Sequence, residues 1–371
     1  MNVPRLVALC LWSLAALRGF GADPFAERAT WLNVAEVLAA PDGDGFRLAR
    51  VPSAVREKLN AAAQLRSFSP AGVELRFQLA GPEARVTLKY VEDRAPRTRG
   101  APVLAEVWHG DFFLRTVVLR TEWTEIVVGP PKNLPELRQA AAANAGRFDP
   151  AVVRIVFPHG TEVRIKDVLG DVRPPRPEQL PRGRYLAYGS SITQGYDAAR
   201  PSEPYPAQLA RLLGADGINL GFGASAFLEP AMADWIASRQ DWDAATFELG
   251  VNLIGRMPAE EFRARVRYFL SAVVPAHPAA WIFVTDLLPS FRDLAPNAKL
   301  AEYRAIVREE VARLNSPRVV HLPGESFVLP AGGLGADLLH PEAAGFTAIA
   351  RRFLAAMREM SVRPKVSASA R

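Results

Sequence analysis

Three polar residues, far apart in the chain of 371 residues, have the types and spacing of a nucleophile and its activating pair. Ser191 lies in the turn GSSITQG of residues 189–195, and Asp337 precedes His340 by three residues in the segment DLLHP. A serine hydroxyl is a poor nucleophile until a base takes its proton, and the base needs an acid that fixes its tautomer and stabilises the imidazolium. Together the three residues predict acyl transfer through a serine.

Each motif also has a simpler interpretation. A turn rich in Gly and Ser satisfies backbone geometry without any chemistry, and a His before Pro341 is often a helix-capping or packing residue. The evidence for a site is therefore the combination of motifs and their order along the chain, not either motif alone.

Two further segments could stabilise the negative charge that develops on a carbonyl oxygen during acyl transfer. They are residues 219–225, NLGFGAS, and residues 250–252, GVN. The main-chain N–H of Ala224 and the side-chain amide of Asn252 could be fixed donors beside the N–H of Ser191. Ordinary turns between strands and helices are the alternative interpretation of both segments.

These residues lie at the ends of short apolar runs that alternate with helical patterns. Strands are predicted near residues 185–188, 218–220, 246–249, 281–284 and 319–322. Strands that alternate with helices indicate a doubly wound parallel sheet, in which ligands bind beyond the carboxyl ends of the strands. The last helix is predicted from one apolar face, with Pro341 in its first turn, and that face comprises Phe346, Ile349, Ala350, Phe353, Leu354 and Met357.

The preceding part of the chain has a different pattern. Residues 23–172 contain several apolar segments of period two, such as 73–77, 86–90 and 152–156, with Gly and Pro between them. This pattern predicts an all-β domain, an antiparallel sandwich or jelly roll. The Pro-rich residues 173–183 are predicted to be a stiff, extended linker that forms neither a ladder nor a helix, and residues 184–360 to be the second domain.

The two ends of the chain are predicted to lie outside these domains. Residues 1–22 have a basic start, an apolar run of about 12 residues and small residues after it, which is typical of a cleaved secretory signal and too short to span a bilayer. The lone Cys10 lies within this signal, so no disulfide is expected in the mature chain. The protein is expected to be periplasmic or extracellular, and residues 361–371 to be disordered.

Composition excludes several other classes of function. The formal charge of +6 comes from scattered Arg residues without a cluster that could follow a phosphate backbone, so nucleic-acid binding is not expected. No apolar stretch is long enough for a membrane span. The five His residues lack ligand spacing, so no metal or other cofactor is expected. His321, on an apolar strand, is interpreted as a core residue.

The four segments, in the order Ser, Gly-rich turn, Asn and Asp-His, resemble the motif blocks of the SGNH (GDSL-like) hydrolases. The resemblance covers residues 185–357 and implies a flavodoxin-like, five-stranded, doubly wound sheet. Carried over by position, it implies Ser191 as nucleophile, Asn252 as an oxyanion donor, and Asp337 and His340 as acid and base. Asp286, at the end of the fourth strand, is the rival acid, and Asp337 is favoured because its spacing matches the motif.

The sequence departs from the family pattern at three places. Ser190 replaces the usual Asp before the nucleophile, and Leu253 replaces the common Asp after Asn252. Ala224 stands where the family has a Gly that donates its N–H to the oxyanion. Ala is penalised at positive φ, so either Gly223 takes this role or the turn is not left-handed, and Ala224 is ranked ahead of Gly223.

Residues 218–230 look more specifically like a branch of the family in which a β-rich domain precedes the hydrolase, and residues 72–75 resemble the N-terminal signature of that branch. Two-domain relatives with a similar arrangement are carbohydrate acetyl esterases. The resemblance implies a secreted esterase that removes short acyl groups, acetyl in particular, from an acylated saccharide or another small ester. Two alternatives stay open. One is a catalytically inactive hydrolase whose β domain binds carbohydrate, and the other is a lipase or thioesterase of the same fold. The sequence does not indicate an oligomeric state.

Overall fold

The computed structural model describes residues 23–92 and 102–360. The predicted signal and Cys10, and the predicted disordered tail, lie outside these residues. Within the described ranges, no helix combines the length and the apolar character that crossing a bilayer requires.

The C-terminal half contains a parallel sheet of five strands. The strands are β10 (Arg184–Gly189), β11 (Asp216–Gly221), β12 (Ala244–Glu248), β13 (Trp281–Thr285) and β14 (Val319–Leu322). Their order in the sheet is β11-β10-β12-β13-β14. This order and the purely parallel pairing confirm the predicted doubly wound fold, and each predicted strand is present within one or two residues of its expected ends.

Helices cover both faces of this sheet, because strands that are apolar on both sides must be buried on both sides. The helices are α4 (Ser191–Gln194), α5 (Tyr205–Leu212), α6 (Pro230–Ser238), α7 (Ala259–Ala276), α8 (Ala298–Arg313) and α9 (Ala343–Glu359). Side chains of α6, α7 and α8 form one core with alternate residues of the strands, and those of α5 and α9 form the other.

The last helix confirms the predicted apolar face, because all six of its predicted residues are buried. Its predicted start was wrong. The helix begins at Ala343 after Glu342, and Pro341 lies before it in an isolated β-bridge with Leu334. Pro341 therefore belongs to the loop that carries His340.

The N-terminal part confirms the predicted antiparallel β-rich domain with a nine-stranded sheet whose pairings are all antiparallel. Its strands are β1 (Thr30–Leu32), β2 (Glu36–Ala39), β3 (Phe46–Ala49), β4 (Glu74–Tyr90), β5 (Leu104–His109), β6 (Phe112–Val118), β7 (Thr124–Val128), β8 (Val152–Val156) and β9 (Val163–Arg173).

Strand β4 differs from the expectation, since the two predicted strands 73–77 and 86–90 form one strand of 17 residues. Gly81 and Pro82 lie where its pairing with β9 is interrupted, between Leu79 and Ala84. A Pro lacks the N–H of a regular ladder, and here it lies at this irregularity and does not end the strand. The first half of β4 lies between β1 and β8, and the second half pairs with β7 and β9.

Three helices in this part were not predicted, and two of them pack on the C-terminal domain. Val51, Leu59 and Ala63 are buried in the same core as α6 and α7. The boundaries drawn from the sequence stay a prediction, but residues 51–63 contribute to the core of the C-terminal domain. The helices are α1 (Ser53–Arg56), α2 (Ala61–Arg66) and α3 (Leu134–Ala143).

The Pro-rich segment between the domains is not fully extended, contrary to the prediction. Arg173 pairs with Gln78 in the ladder between β4 and β9, and Pro177–Gln179 forms a 3-10 turn. The carbonyl of Gln179 accepts a hydrogen bond of 3.0 Å from the N–H of Asp149. The segment is thereby fixed to the β-rich domain.

Candidate active site

Ser191 is the first residue of α4, directly beyond the carboxyl end of β10, which is the central position for a ligand in this fold. Its Oγ lies 2.8 Å from Nε2 of His340. The side chain of Ser190 caps the helix by accepting a bond of 3.1 Å from the N–H of Ile192. Ser191 thus stands on a turn whose backbone is fixed.

The loop before α9 presents His340 and Asp337 from one corner. Nδ1 of His340 lies 2.7 Å from Oδ2 of Asp337, and Oδ1 of Asp337 accepts the N–H groups of Leu339 and His340, each at 3.0 Å. Leu338 has φ of 51°, which bends the loop so that one carboxylate reaches both the ring and the backbone. The three predicted side chains therefore form one continuous hydrogen-bonded chain.

The electrostatics of this corner favour a charged carboxylate. Partial burial acts to raise the pKa of Asp337, but the hydrogen bonds from the His340 ring and from the two backbone N–H groups outweigh it and lower the pKa from 3.8 to about 2. The ring of Tyr196 packs against the imidazole with 4.3 Å between centroids. The ionised carboxylate of Asp337 can therefore stabilise the imidazolium that forms when His340 takes a proton.

Asp286, the rival acid, lies elsewhere. Its Oδ2 is 2.8 Å from Nε2 of His321, and its Oδ1 accepts the N–H of Gly324 at 2.8 Å. Because both ring nitrogens of His340 are already engaged with Ser191 and Asp337, Asp286 has no place in this chain of bonds. His321 is satisfied by Asp286 as expected, but it is only partly buried and so is not a core residue.

The second motif block packs directly on the nucleophile turn. Gly221 lies so close to α4 that an added Cβ would be 2.1 Å from the backbone nitrogen of Gln194, which only a glycine avoids. Two residues later, a Cβ built at Gly223 would lie 3.5 Å from Cβ of Ser191. The turn that follows β11 is therefore in contact with Ser191.

The turn is left-handed at Ala224, where φ is 57°. Of the two alternatives drawn from the sequence, Gly223 as donor or a turn that is not left-handed, the second is wrong. The N–H of Gly223 donates to Oε1 of Gln194 at 2.6 Å, so it is committed elsewhere. The N–H of Ala224 meets no acceptor among the described residues, and its residue is exposed. The geometry favours Ala224 over Gly223 as the donor.

Asn252 is attached to the same turn. Its Oδ1 accepts the N–H of Ala226 at 3.1 Å, which fixes the orientation of the amide and leaves Nδ2 without an acceptor in the described part of the chain. The N–H of Ser191 is likewise unused there, as expected for the first residue of a helix. The structure thus provides three N–H donors on segments that border Ser191.

Two side chains that contact the site were not singled out from the sequence. Glu248 is buried at the end of β12, and its Oε2 accepts bonds from the N–H and Oγ of Ser190, at 2.8 and 2.6 Å, and from Oγ1 of Thr193 at 3.2 Å. Burial raises the pKa of Glu248 to about 7. The available signal in the sequence was a single acidic residue directly after the mainly apolar run 244–247. The second is Gln194, inside the first motif, whose Oε1 accepts the N–H of Gly223.

One group of side chains at the site has the chemistry of metal ligands. Asp197, Asp337 and His340 place ligand atoms within 4.8 Å of one another. Both ring nitrogens of His340 are already engaged in hydrogen bonds, with Asp337 and Ser191. While both bonds are made, the ring has no nitrogen left for a cation.

The doubly wound sheet with this loop arrangement is the SGNH hydrolase fold. A sequence profile described as the GDSL-like lipase/acylhydrolase family matches residues 187–348. Over these residues, which lie within the C-terminal domain, the chain is therefore similar to this family. No curated protein matches the chain.

Solved structures share the two-domain architecture over nearly the whole chain. The salicylyl-acyltransferase SsfX3 from a tetracycline biosynthetic pathway is 22% identical with a TM-score of 0.75, covering 93% of this chain and 97% of its own. A putative GDSL-like lipase from Bacteroides ovatus is 19% identical (TM-score 0.66; 90% and 98% covered). A family two carbohydrate esterase from Clostridium thermocellum is 17% identical (TM-score 0.54; 89% and 98% covered). At these identities the likeness establishes the fold.

Proposed function

We propose that this protein is an exported serine esterase that removes short acyl groups, acetyl in particular, from esters on carbohydrate. The observation that carries the proposal is the chain of hydrogen bonds from Ser191 through His340 to Asp337, at 2.8 and 2.7 Å. The 2.8 Å distance from Oγ of Ser191 to Nε2 of His340 lies within the range in which a base can take a proton from a nucleophile.

In the first half of the reaction, Nε2 of His340 takes the proton of Ser191 as Oγ attacks the ester carbonyl. Asp337 holds the other ring nitrogen and stabilises the imidazolium. The imidazolium then gives its proton to the leaving alkoxide, and the acyl group stays on Oγ. The alcohol that leaves is the deacylated hydroxyl of the substrate.

In the second half, water takes the place of the alcohol. His340 removes a proton from water, hydroxide attacks the acyl carbon, and the proton returns to Oγ of Ser191 as the acid departs. In both halves the carbonyl oxygen carries negative charge. The N–H groups of Ser191 and Ala224 and the amide of Asn252 are the donors proposed to bind it.

Two structural neighbours support the substrate class. Among the structural neighbours are the family two carbohydrate esterase from Clostridium thermocellum, solved in complex with cellohexaose, and an acetyl xylan esterase from Butyrivibrio proteoclasticus. Those activities belong to the neighbours, and here they support a saccharide ester as substrate.

Export is proposed from the composition of residues 1–22, which matches a cleaved secretory signal. The expected product is a mature protein in the periplasm or outside the cell. Expression of the full chain, followed by determination of the N-terminus of the exported protein, tests this. A protein retained in the cytoplasm with an intact N-terminus would contradict export.

The test of the activity is an acyl-length series of p-nitrophenyl esters together with acetate release from acetylated glycans, for the purified protein and for Ser191→Ala. We expect the acetyl ester to be preferred and Ser191→Ala to lose nearly all activity. Equal turnover by the variant would end the serine mechanism. Preference for long acyl chains would favour a lipase, and sugar binding without esterase activity would favour a spent hydrolase. Product analysis with an added alcohol would detect acyl transfer.

A further inference from the structure

Two buried arginines of the N-terminal part hold the opposite ends of β11, the edge strand of the hydrolase sheet. Arg76 forms a two-pronged ion pair with Asp216, the first residue of the strand, at 2.7 and 2.9 Å. Arg50 bonds the carbonyls of Asn219 and Gly221 at the other end, at 2.7 and 2.9 Å. Only the second end leads into the turn that contacts Ser191.

Arg50 is 1% exposed and uses its guanidinium as a bridge. Besides the two carbonyls of β11, it bonds the carbonyls of Arg66 and Ser69 in its own part of the chain, at 3.0 and 2.6 Å. An edge strand has carbonyls that no neighbouring strand satisfies, and buried carbonyls without a donor are costly. Five N–H donors in one rigid plane can satisfy several such groups at once.

No carboxylate pairs with Arg50 among the residues that the structure describes. Its partners are carbonyls, and the ring of Phe222 lies 4.7 Å from its guanidinium carbon. Burial, and then the charge of Arg66, lower the pKa of Arg50 to about 9. A charged guanidinium buried without an acid is costly unless its hydrogen bonds are complete, so its position is determined by these carbonyls.

The turn beyond Gly221 needs such an anchor. Ala224 is held in the left-handed region, a conformation that is unfavourable for a residue with a side chain and persists only where its surroundings fix it. The turn begins one residue after the carbonyl that Arg50 binds. A shift of Gly221 would move the N–H of Ala224.

We propose that Arg50 is a positioning residue for the oxyanion turn: its bonds to Asn219 and Gly221 fix the end of β11, and thereby the N–H of Ala224. This inference rests on the proposed esterase function and deepens it. The N-terminal part is then a component of the catalytic apparatus, not only a module that binds substrate or walls the cleft.

The test compares Arg50→Ala and Arg50→Lys with Asp216→Asn, which weakens the anchor at the far end of β11. The substrate is p-nitrophenyl acetate, with Ser191→Ala in the same assay. We expect Arg50→Ala to lower kcat about 100-fold while KM changes by less than about threefold, because a small displacement of one donor is felt in the transition state. Arg50→Lys should fall between, and Asp216→Asn should lose stability while keeping kcat.

Two further readouts separate positioning from mere destabilisation. Guanidinium ion, well below denaturing concentration, should restore part of the kcat of Arg50→Ala and none in Ser191→Ala. The inhibition constant of phenylboronic acid, whose serine adduct is tetrahedral, should rise by the factor by which kcat/KM falls. If Arg50→Ala does not fold, the same kcat and inhibition measurements on Arg50→Lys test the positioning role.

The inference is overturned if a folded Arg50 variant keeps the kcat of the wild type, or if Asp216→Asn lowers kcat as much as the Arg50 variants do. A wild type without esterase activity would overturn the proposed function and this inference with it. An active wild type with unaffected Arg50 variants would overturn the inference alone.

Discussion

The side chain of Gln194 joins Gly223 to the β-rich domain. Its Oε1 accepts the N–H of Gly223 at 2.6 Å, and its Nε2 donates to the carbonyl of His159 at 2.8 Å. Gln194 is buried and lies on α4 with Ser191. One amide thus connects the nucleophile helix, the oxyanion turn and a loop of the N-terminal domain.

Replacing Gln194 should separate these connections. In Gln194→Glu one oxygen can still accept the N–H of Gly223, but the other faces the carbonyl of His159, so we expect roughly 2 kcal/mol loss in unfolding free energy and a lower kcat. Gln194→Met, which keeps the volume and loses both bonds, is the companion variant. Denaturant unfolding and esterase assays measure both effects, and a Glu variant as stable as the wild type would refute the bridging role.

Ala224→Gly tests whether a main-chain donor is used at the left-handed position. Glycine keeps the N–H and removes the strain at φ of 57°, so we expect kcat to be retained and stability to rise by up to about 1 kcal/mol. Gly223→Ala is the matched variant, since its new Cβ would approach Oε1 of Gln194 to 3.1 Å. A large loss of kcat in Ala224→Gly would contradict the assignment of this donor.

Asn252→Ala removes the only side-chain donor of the proposed oxyanion site. We expect kcat to fall about 10²- to 10³-fold with KM little changed, as is usual for one such donor. Because Oδ1 of Asn252 also accepts the N–H of Ala226, the unfolding free energy should be measured alongside. A loss below about threefold would mean that another donor replaces it.

Asp337→Asn and Asp286→Asn are a matched pair that separates the two acids. Asp337→Asn should lower kcat about 10³- to 10⁴-fold, because the amide no longer stabilises the imidazolium or fixes the tautomer of His340. Asp286→Asn acts on His321 and Gly324, so it should change stability and leave kcat within about threefold. If Asp286→Asn lowered kcat more than Asp337→Asn, Asp286 would be the catalytic acid and Asp337 the structural one.

Glu248 should make stability depend on pH near neutrality. Its pKa is about 7 in the folded protein because burial disfavours the charged form, whereas the ordinary value is 4.5. Between these values the folded state keeps a proton that the unfolded state has lost, so the unfolding free energy falls as pH rises from about 4.5 to about 7, by roughly 3 kcal/mol in all.

Glu248→Gln should abolish this slope, because the amide oxygen accepts the same bonds from Ser190 and Thr193 without titrating. The variant is expected to be less stable than the wild type at acid pH, where its amide nitrogen is a buried donor without a partner. Unfolding curves at several pH values for both proteins give the comparison. An unchanged slope in Glu248→Gln would assign the pH dependence to another group.

Periodicity and motif order predicted the hydrolase sheet and the residues of the hydrogen-bonded chain. The five strands are short apolar runs bounded by turns, and the apolar face of α9 repeats every three to four residues. Both patterns can be recognised from neighbouring residues in the sequence. Pro341 was misplaced because a Pro fits the first turn of a helix as well as the loop before it. At Gly81 and Pro82 the sequence suggested a break, but the neighbouring strands pair on both sides of the irregularity and keep β4 continuous.

Other features depend on contacts between residues that are distant in sequence. Nothing near Arg50 indicates that its donors end on Asn219 and Gly221, since the separation along the chain is about 170 residues. The left-handed conformation of Ala224 could not be inferred, because the penalty for a side chain argues against it and only the surrounding bonds overcome that penalty. Glu248 has no motif of its own, and its role emerges only beside Ser190.

The partners that cover the edge of strand β11 are synthesised before the strand itself. Its outer edge is covered by Asn33 and Arg50, which leave the ribosome well before the strand itself. When β11 joins β10, the partners of its free carbonyls are already available, and the apolar side chains of residues 51–63 are ready to enter the core. A hydrolase half expressed by itself would present a bare edge and an incomplete core to other chains, so aggregation of such a fragment would follow from its missing first part.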